Sequence, residues 1–182
     1  MSKSKIRNKI LKIRKKKYKK NIKIEFNRIY NLLKKNTNLN KKIIGGYYPV
    51  NHEIDDLSIL KEFKKKKNTI SLPSIKKNFK MKFIKCLLND PLVINQYGIP
   101  EPAKGKTVIP DIILIPVVAF DKNLNRLGYG AGYYDRFIES AKKRKKIITI
   151  GLAFDFQKFY KLPISKHDQK LDYIITNKNI LK

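Results

Sequence analysis

The chain carries one cysteine, Cys86 in KFIKCLL. A single thiol excludes an internal disulfide framework and suits a reducing cytosol. Lying in an apolar segment, it reads as a small buried hydrophobe. Histidine is almost as scarce: His52 and His167 stand far apart, with no Cys or His at ligand spacing, which excludes a zinc site built on those residues. No stretch is apolar for long enough to span a bilayer. The basic N-terminus MSKSKIRNKILKIRKKKYKK lacks the uninterrupted apolar core of a signal peptide, so a cytoplasmic protein is expected. Acidic residues are few, 14 Asp+Glu against 43 Lys+Arg, and the resulting +29 attracts polyanions whatever their sequence. The basic runs nevertheless lack the arginine and aromatic interleaving of a base-stacking surface. The excess is nearly all lysine, spread along the chain among many Asn and Ile, as an AT-rich coding sequence would give any solvated surface. Salt-sensitive, non-specific attraction is expected, with no specific nucleic acid, no membrane and no obligate protein partner.

With 182 residues, 42% of them hydrophobic, the chain can build a single buried core, and no repeat, linker or low-complexity boundary divides it. One domain over residues 1–182 is expected. Ile6, Ile10, Ile13, Ile22, Phe26, Ile29 and Leu33 recur mostly at three- and four-residue steps, so residues 4–35 read as one long or broken amphipathic helix with lysine on its other face. IIGGYYPV reads as a short strand closed by Pro49. Asp55 or Asp56 is then placed to cap a helix that ends in Lys64–Lys67, where cations suit a helix C-terminus. TISLPSI and MKFIKCLL read as strands on either side of a basic turn.

The second half is more regular. PDIILIPVVAF is an almost unbroken apolar run, the pattern of a strand covered on both faces. YYDRFIESAKKRKK has helical spacing through Tyr134, Phe137, Ile138 and Ala141. IITIGLAF is a second doubly buried strand and DYIIT a short third. Strand, helix and strand at this spacing predict an α/β fold, three-layered, with a mostly parallel central sheet and helices on both faces. Between the first strand and the helix lies NRLGYGAGYYDRFIE, with three glycines at alternate positions. Backbone N–H groups of such a loop, together with the positive end of the following helix, can converge on a phosphate. The spacing is neither that of a dinucleotide fold nor that of a Walker A loop. Asp135 just after it could complement the helix dipole or serve as a Mg²⁺ ligand beside a polyphosphate.

FDKNLNRLGYGAGYYDRFI resembles the signature of the 5-formyltetrahydrofolate cyclo-ligase (5,10-methenyltetrahydrofolate synthetase) family. The likeness runs through the chain in order: KSKIRNKILKIR resembles that family's N-terminal Lys-x-x-Leu-Arg helix, GYYPVNHEID its substrate-side Glu segment, and QYGIPEP the segment before the central strand. GLAFDFQ and LPISKHDQKLDYIIT resemble its closing motifs. The resemblance implies conversion of 5-formyltetrahydrofolate to 5,10-methenyltetrahydrofolate with ATP as co-substrate and Mg²⁺ as cofactor. ADP and phosphate are released, and the formyl oxygen is phosphorylated before N10 attacks.

By the same resemblance, Lys3 and Arg7 bind ATP, joined by Arg126 and by Gly128, Tyr129, Gly130, Ala131 and Gly132 of the loop. Ala131 stands where many bacterial relatives carry glycine, and a positive φ there would be strained. Tyr133 and Tyr134, also implied ATP-binding residues, are the paired aromatics near the reacting centre, with Tyr133 and Arg126 in catalytic roles and Tyr134 also able to be a core residue. Asp135 and Asp168 are implied magnesium ligands. Glu53 is the carboxylate that grips the pterin, with Tyr48, Met81 and Phe83 in folate-pocket segments. Two other classes compete: a non-catalytic polyanion or nucleic-acid binder, and a different ATP-dependent transferase using the same loop. Glu53 and QYGIPEP favour the folate enzyme over both.

Overall fold

The computed structural model describes residues 1–19, 21–76 and 78–182. Two helices come first, α1 (Lys3–Lys17) and α2 (Phe26–Asn36), then strand β1 (Ile43–Gly45), helix α3 (Leu57–Lys65) and the paired strands β2 (Thr69–Lys76) and β3 (Lys80–Lys85). Short strands β4 (Leu92–Ile94), β5 (Pro100–Pro102) and β6 (Thr107–Val108) precede β7 (Ile112–Pro116). The hairpin β8 (Ala119–Phe120) and β9 (Arg126–Leu127) leads into α4 (Tyr133–Lys142), and β10 (Ile148–Ala153), β11 (Tyr173–Thr176) and β12 (Ile180–Leu181) follow. The helix expected over 4–35 is thus the broken form, two helices separated at Tyr18–Glu25.

The main sheet runs β12-β11-β10-β7-β1-β2-β3-β6. Its five inner strands are parallel; β12 on one side and β3 on the other run against them, and β6 pairs antiparallel with β3. β7 lies at the centre and is buried on both faces, which is why its sequence does not alternate. Ile112 and Leu114 join α2 and α3 residues Ile29, Leu33, Ile59, Leu60 and Phe63 in one core. Ile113 and Ile115 join Ile138 and Ala141 of α4 in the other. A third, smaller cluster seats Ile6 and Ile10 of α1 on Val118, Ala119, Leu127 and Leu162. The α/β architecture with helices on both faces is therefore observed.

One local reading needs correction and another is resolved. PDIILIPVVAF is not one strand: the main-sheet strand ends at Pro116, and Ala119–Phe120 pairs instead with Arg126–Leu127. Side chains account for the break, because the Val117 carbonyl accepts from Arg14 Nη1 at 3.3 Å and Gln157 Nε2 at 2.6 Å, and Val118 accepts from Gln157 at 2.8 Å. Of the two candidate caps of α3, Asp55 Oδ1 accepts from the Leu57 N–H at 3.0 Å, whereas the Asp56 carboxylate turns inward to the Tyr47 N–H at 2.8 Å. Among the described residues no helix is long and apolar enough to cross a membrane. Leu114→Ala, which empties a wholly buried site at the centre of the sheet, should lower the unfolding free energy by about 3 kcal/mol in urea melts.

Candidate active site

Helix α1 presents one stripe to the rest of the molecule. Lys3 and Arg7 are half-buried, and Ile6, Ile10 and Arg14 are buried on the same face, while Lys5, Lys9, Lys12 and Lys15–Lys17 face solvent. Spacings of three and four residues put these side chains in line. The isoleucines hold the helix against β8 and β9, which carries Arg7 and Arg14 to the glycine loop and Lys3 to Asp168. Arg7 Nε donates to the Gly128 carbonyl at 2.8 Å. Arg14 Nη2 donates to the Tyr129 hydroxyl. Lys3 Nζ meets Asp168 and donates to Ser165 Oγ at 2.9 Å.

The loop leaves β9 at the C-terminal side of β7, the side on which open α/β sheets place ligands. Its base is built by Asp121, fully buried, whose carboxylate accepts from the backbone N–H groups of Asn123, Asn125 and Leu162. The left-handed conformations fall on Gly130 (φ 108°) and Gly132 (φ 68°), and not on Ala131, so alanine at that place is free of the strain expected for it. A Cβ on Gly130 would stand 3.0 Å from the Arg7 guanidinium. Gly132 is also the N-cap of α4 and supplies no side-chain acceptor, which leaves the first N–H groups of the helix open. A loop of this kind beside a helix N-terminus and an arginine is suited to an anion such as phosphate.

The two candidate metal ligands are adjacent and each is tied to a cation. Asp135 Oδ1 accepts from Arg126 Nη1 at 2.8 Å and from the Gln169 N–H at 3.0 Å, and Arg126 also donates to the Gln169 carbonyl. Asp168, the preceding residue, has its Oδ2 on Lys3 and on the Ser165 N–H at 2.7 Å. Among the described residues no group of three or more Asp, Glu, His or Cys gathers into a cage. Two carboxylates next to a loop suited to phosphate form a donor set that suits Mg²⁺, which keeps several waters and shares phosphate oxygens.

On the inner side of the loop lies a buried polar cluster. Glu53 is 6% exposed, and its Oε2 accepts from the Val50 N–H at 2.9 Å. Burial pushes its carboxyl up to about 7, while that N–H, Arg14 and Tyr129 act to lower it. Asp56 is fully buried, and burial pushes its carboxyl well up despite the Tyr47 N–H. Tyr47 donates its hydroxyl to the Ile54 carbonyl at 2.7 Å. Burial also raises the Tyr134 hydroxyl, with the charges of Glu53 and Asp56 adding to the effect and Arg126 opposing it. Tyr129 keeps one face exposed but turns its hydroxyl inward, where burial raises it to about 12.

The remaining expected residues fall in two places. Tyr133 is at the rim, its hydroxyl 3.3 Å from that of Tyr97 and its ring beside Phe79 and Arg136. Tyr134 packs partly on the α4 core. Phe83 is wholly buried against Phe137 and beneath Gly45, where it acts as a core side chain, and Met81 partly covers the same cluster. Tyr48 is half-buried in the segment before Glu53. Surface concavities of about 230 Å³ and 170 Å³ lie elsewhere, one lined by Lys122, Asn123, Tyr160 and Lys161, the other by Asp111 and Lys146 among others. Arg14, Asp121 and Gln157 escaped the sequence reading. Arg14 carried a signal, since it sits four residues after Ile10 on the apolar stripe; the other two carried none beyond their motifs.

Glu53 ties stability to pH in a definite direction. Its folded value lies above the ordinary 4.5, so folding favours the protonated form; that contribution is complete below about pH 4.5 and is lost as pH rises through about 7. Glu53→Gln cannot ionise. It should therefore be more stable than the natural protein at about pH 8, by up to about 3 kcal/mol in unfolding free energy, with the difference fading towards about pH 5.

Comparison with known proteins identifies the family. The family model of the 5-formyltetrahydrofolate cyclo-ligase family matches residues 1–177. The 5-formyltetrahydrofolate cyclo-ligase of Haemophilus influenzae is 34% identical over 137 residues, 71% of this chain and 73% of that protein. The enzyme of the same name from Mycoplasma genitalium is 36% identical over 137 residues, 75% of this chain and 73% of that protein. In structure, the chain is similar to Aquifex aeolicus 5,10-methenyltetrahydrofolate synthetase, with a TM-score of 0.80 and 30% identity, covering all of this chain and 93% of that one. With the motifs from both ends of the chain meeting at one loop, and that match extending from Met1 to Asn177, the chain belongs to the 5-formyltetrahydrofolate cyclo-ligase family.

Proposed function

We propose that this protein converts 5-formyltetrahydrofolate to 5,10-methenyltetrahydrofolate with ATP and Mg²⁺. The observation that carries the reading is the meeting of Lys3 and Arg7, the glycine loop, the Arg126–Asp135 pair and Asp168 at the N-terminus of α4, with Glu53 buried behind the loop. A formyl oxygen is a poor leaving group. Its attack on the γ-phosphorus breaks the bond to ADP and makes it part of a phosphate ester; N10 then attacks the activated carbon, loses its proton, and phosphate departs with the oxygen. Little covalent chemistry falls to the protein, whose part is alignment and charge neutralisation.

The residues divide this work. Arg7, the open N–H groups of the loop and the first turn of α4 bind the phosphates. Arg126, whose side chain is 5% exposed and held by Asp135, is a preorganised cation for charge that develops on the transferred group. Tyr133 stands at the rim beside the reacting centre. Asp135 and Asp168 would hold Mg²⁺; Oδ2 of Asp135 has no protein partner among the described residues. The metal, when bound, neutralises phosphate charge. Glu53 accepts N–H bonds from the pterin edge, with Tyr48 and Met81 in the neighbouring segments, and the reaction is cytosolic.

ATP turnover should require both 5-formyltetrahydrofolate and a divalent metal, because the site offers phosphate and metal binding without a base placed to activate water. Equal turnover without the folate would overturn the assignment. Asp135→Asn should reduce turnover at least about a hundredfold, since positioning and charge neutralisation are nearly all that the protein contributes. It should move thermal unfolding only slightly; a normal rate at ordinary Mg²⁺ would remove Asp135 from the site. Arg7→Ala should weaken ATP binding by roughly 1.5–3 kcal/mol, the worth of a charged hydrogen bond, while Lys15→Ala on the solvent face should change it little. Dissociation constants measured on the two variants decide between a phosphate contact and a merely basic helix.

A further inference from the structure

The segment QYGIPEP lies in a hairpin that stands outside the main sheet. Among the described residues β4 and β5 pair only with each other, and a two-stranded hairpin is marginal in water unless something ties it down. Pro100 and Pro102 remove two of the three backbone donors of β5, which leaves it unfit to extend the ladder of β2. The tie is a side chain instead. Glu101, between those prolines, is 7% exposed. Its Oε1 accepts from Ser74 Oγ at 2.8 Å and its Oε2 from the Ile75 N–H at 3.0 Å, both on β2, and from Asn95 Nδ2 of the hairpin at 3.1 Å. A carboxylate out of water must be hydrogen-bonded, and this one takes its donors from both sides of a single joint.

Asn95 carries the restraint to the hairpin tip. Its Oδ1 accepts from the Tyr97 N–H at 2.9 Å and the Ile99 N–H at 3.2 Å, and its carbonyl accepts from the Gly98 N–H at 2.9 Å, with Gly98 in the left-handed conformation (φ 73°) that the turn needs. Tyr97 then crosses from the tip to the first residue of α4. The Tyr97 and Tyr133 hydroxyls share a hydrogen bond of 3.3 Å, and their rings meet edge to face with centres 6.1 Å apart. Gly132, ahead of Tyr133, offers no side chain to steady it. Phe79 and Arg136 lie beside the Tyr133 ring without bonding to its hydroxyl, so the direction of that hydroxyl is set from the hairpin. We propose that Glu101 is a positioning residue for Tyr133, acting through Asn95 and Tyr97. This rests on Tyr133 standing beside the reacting centre of the proposed reaction, where a displacement of about 1 Å is enough to lose much of the rate.

Tyr97→Phe removes one hydroxyl at an exposed tip, and Glu101→Ala removes the joint. In the full chain labelled with 3-fluorotyrosine, the ¹⁹F resonance of Tyr133, assigned through its loss in Tyr133→Phe, should move in both variants. It should return towards its natural place in Glu101→Gln, whose amide keeps an oxygen for Ile75 and Asn95 and can donate to Ser74. Turnover of 5-formyltetrahydrofolate with ATP should fall roughly tenfold in Tyr97→Phe and in Glu101→Ala and recover most of its rate in Glu101→Gln. The double variant should be no slower than either single one, since residues that act through one contact are not additive. An unmoved Tyr133 resonance, a full rate in Tyr97→Phe, or losses that multiply in the double variant would reduce Glu101 to an anchor of the fold. Should Glu101→Ala fail to fold, Asn95→Ala cuts the same chain of bonds at the half-buried turn and carries the same expectations. A natural protein without turnover, its Tyr133 resonance still answering to Tyr97→Phe, would instead overturn the proposed reaction and leave the coupling of hairpin to Tyr133 standing.

Discussion

The burial of β7 on both faces is the constraint from which the site follows. Alternate residues of one short strand belong to separate cores, Ile112 and Leu114 under α2 and α3, Ile113 and Ile115 under α4. A strand so enclosed cannot shift by one residue without exchanging its two faces, so its register is set and with it the point where it ends. Beyond Pro116 the backbone leaves the sheet, and Arg14 and Gln157 occupy the carbonyls that a further ladder would have used. The β8–β9 hairpin then carries the glycine loop to the C-terminal edge of the sheet, where α1 packs on it through Ile6 and Ile10. Residues 3 and 168 meet because both flank that one exit.

Charge is sorted by residue type as well as by place. The +29 is mostly lysine, and on α1 most lysines are exposed. The arginines of the site point inward, where a planar fork can satisfy several acceptors at once: Arg126 reaches Asp135 and the Gln169 carbonyl, and Arg14 reaches the Val117 carbonyl and Tyr129. Buried ions of this sort are costly unless paired, and the pairing here is left incomplete at Arg14 Nε and Asp56 Oδ1.

Much of this was legible in the chain. The unbroken apolar runs announced doubly covered strands, and the three- and four-residue spacing announced the helices, because burial pattern is a local property written residue by residue. Motif likeness reached further and named the loop and the carboxylates. What stayed hidden had no local pattern. PDIILIPVVAF reads as one strand because the side chains that interrupt it, Arg14 and Gln157, come from opposite ends of the chain. Arg14 itself sat in a run of basic residues, where charge alone could not distinguish it from Lys15.

The sequence by itself determined the α/β class, the family likeness and the chemistry at hand: a permissive loop, two acids after it, and cations on the first helix. Those follow from side-chain type and period, which need no partner to be read. Only the tertiary structure decided that the positive φ angles fall on Gly130 and Gly132 and spare Ala131, that Asp56 serves Tyr47 rather than capping α3, and that Phe83 is core. It also decided that one arginine among the cations of α1 is buried and donates to the Tyr129 hydroxyl of the glycine loop. The reason is the same in each case: desolvation and pairing depend on what the rest of the chain brings within a few ångströms, and no window of neighbouring residues contains that information.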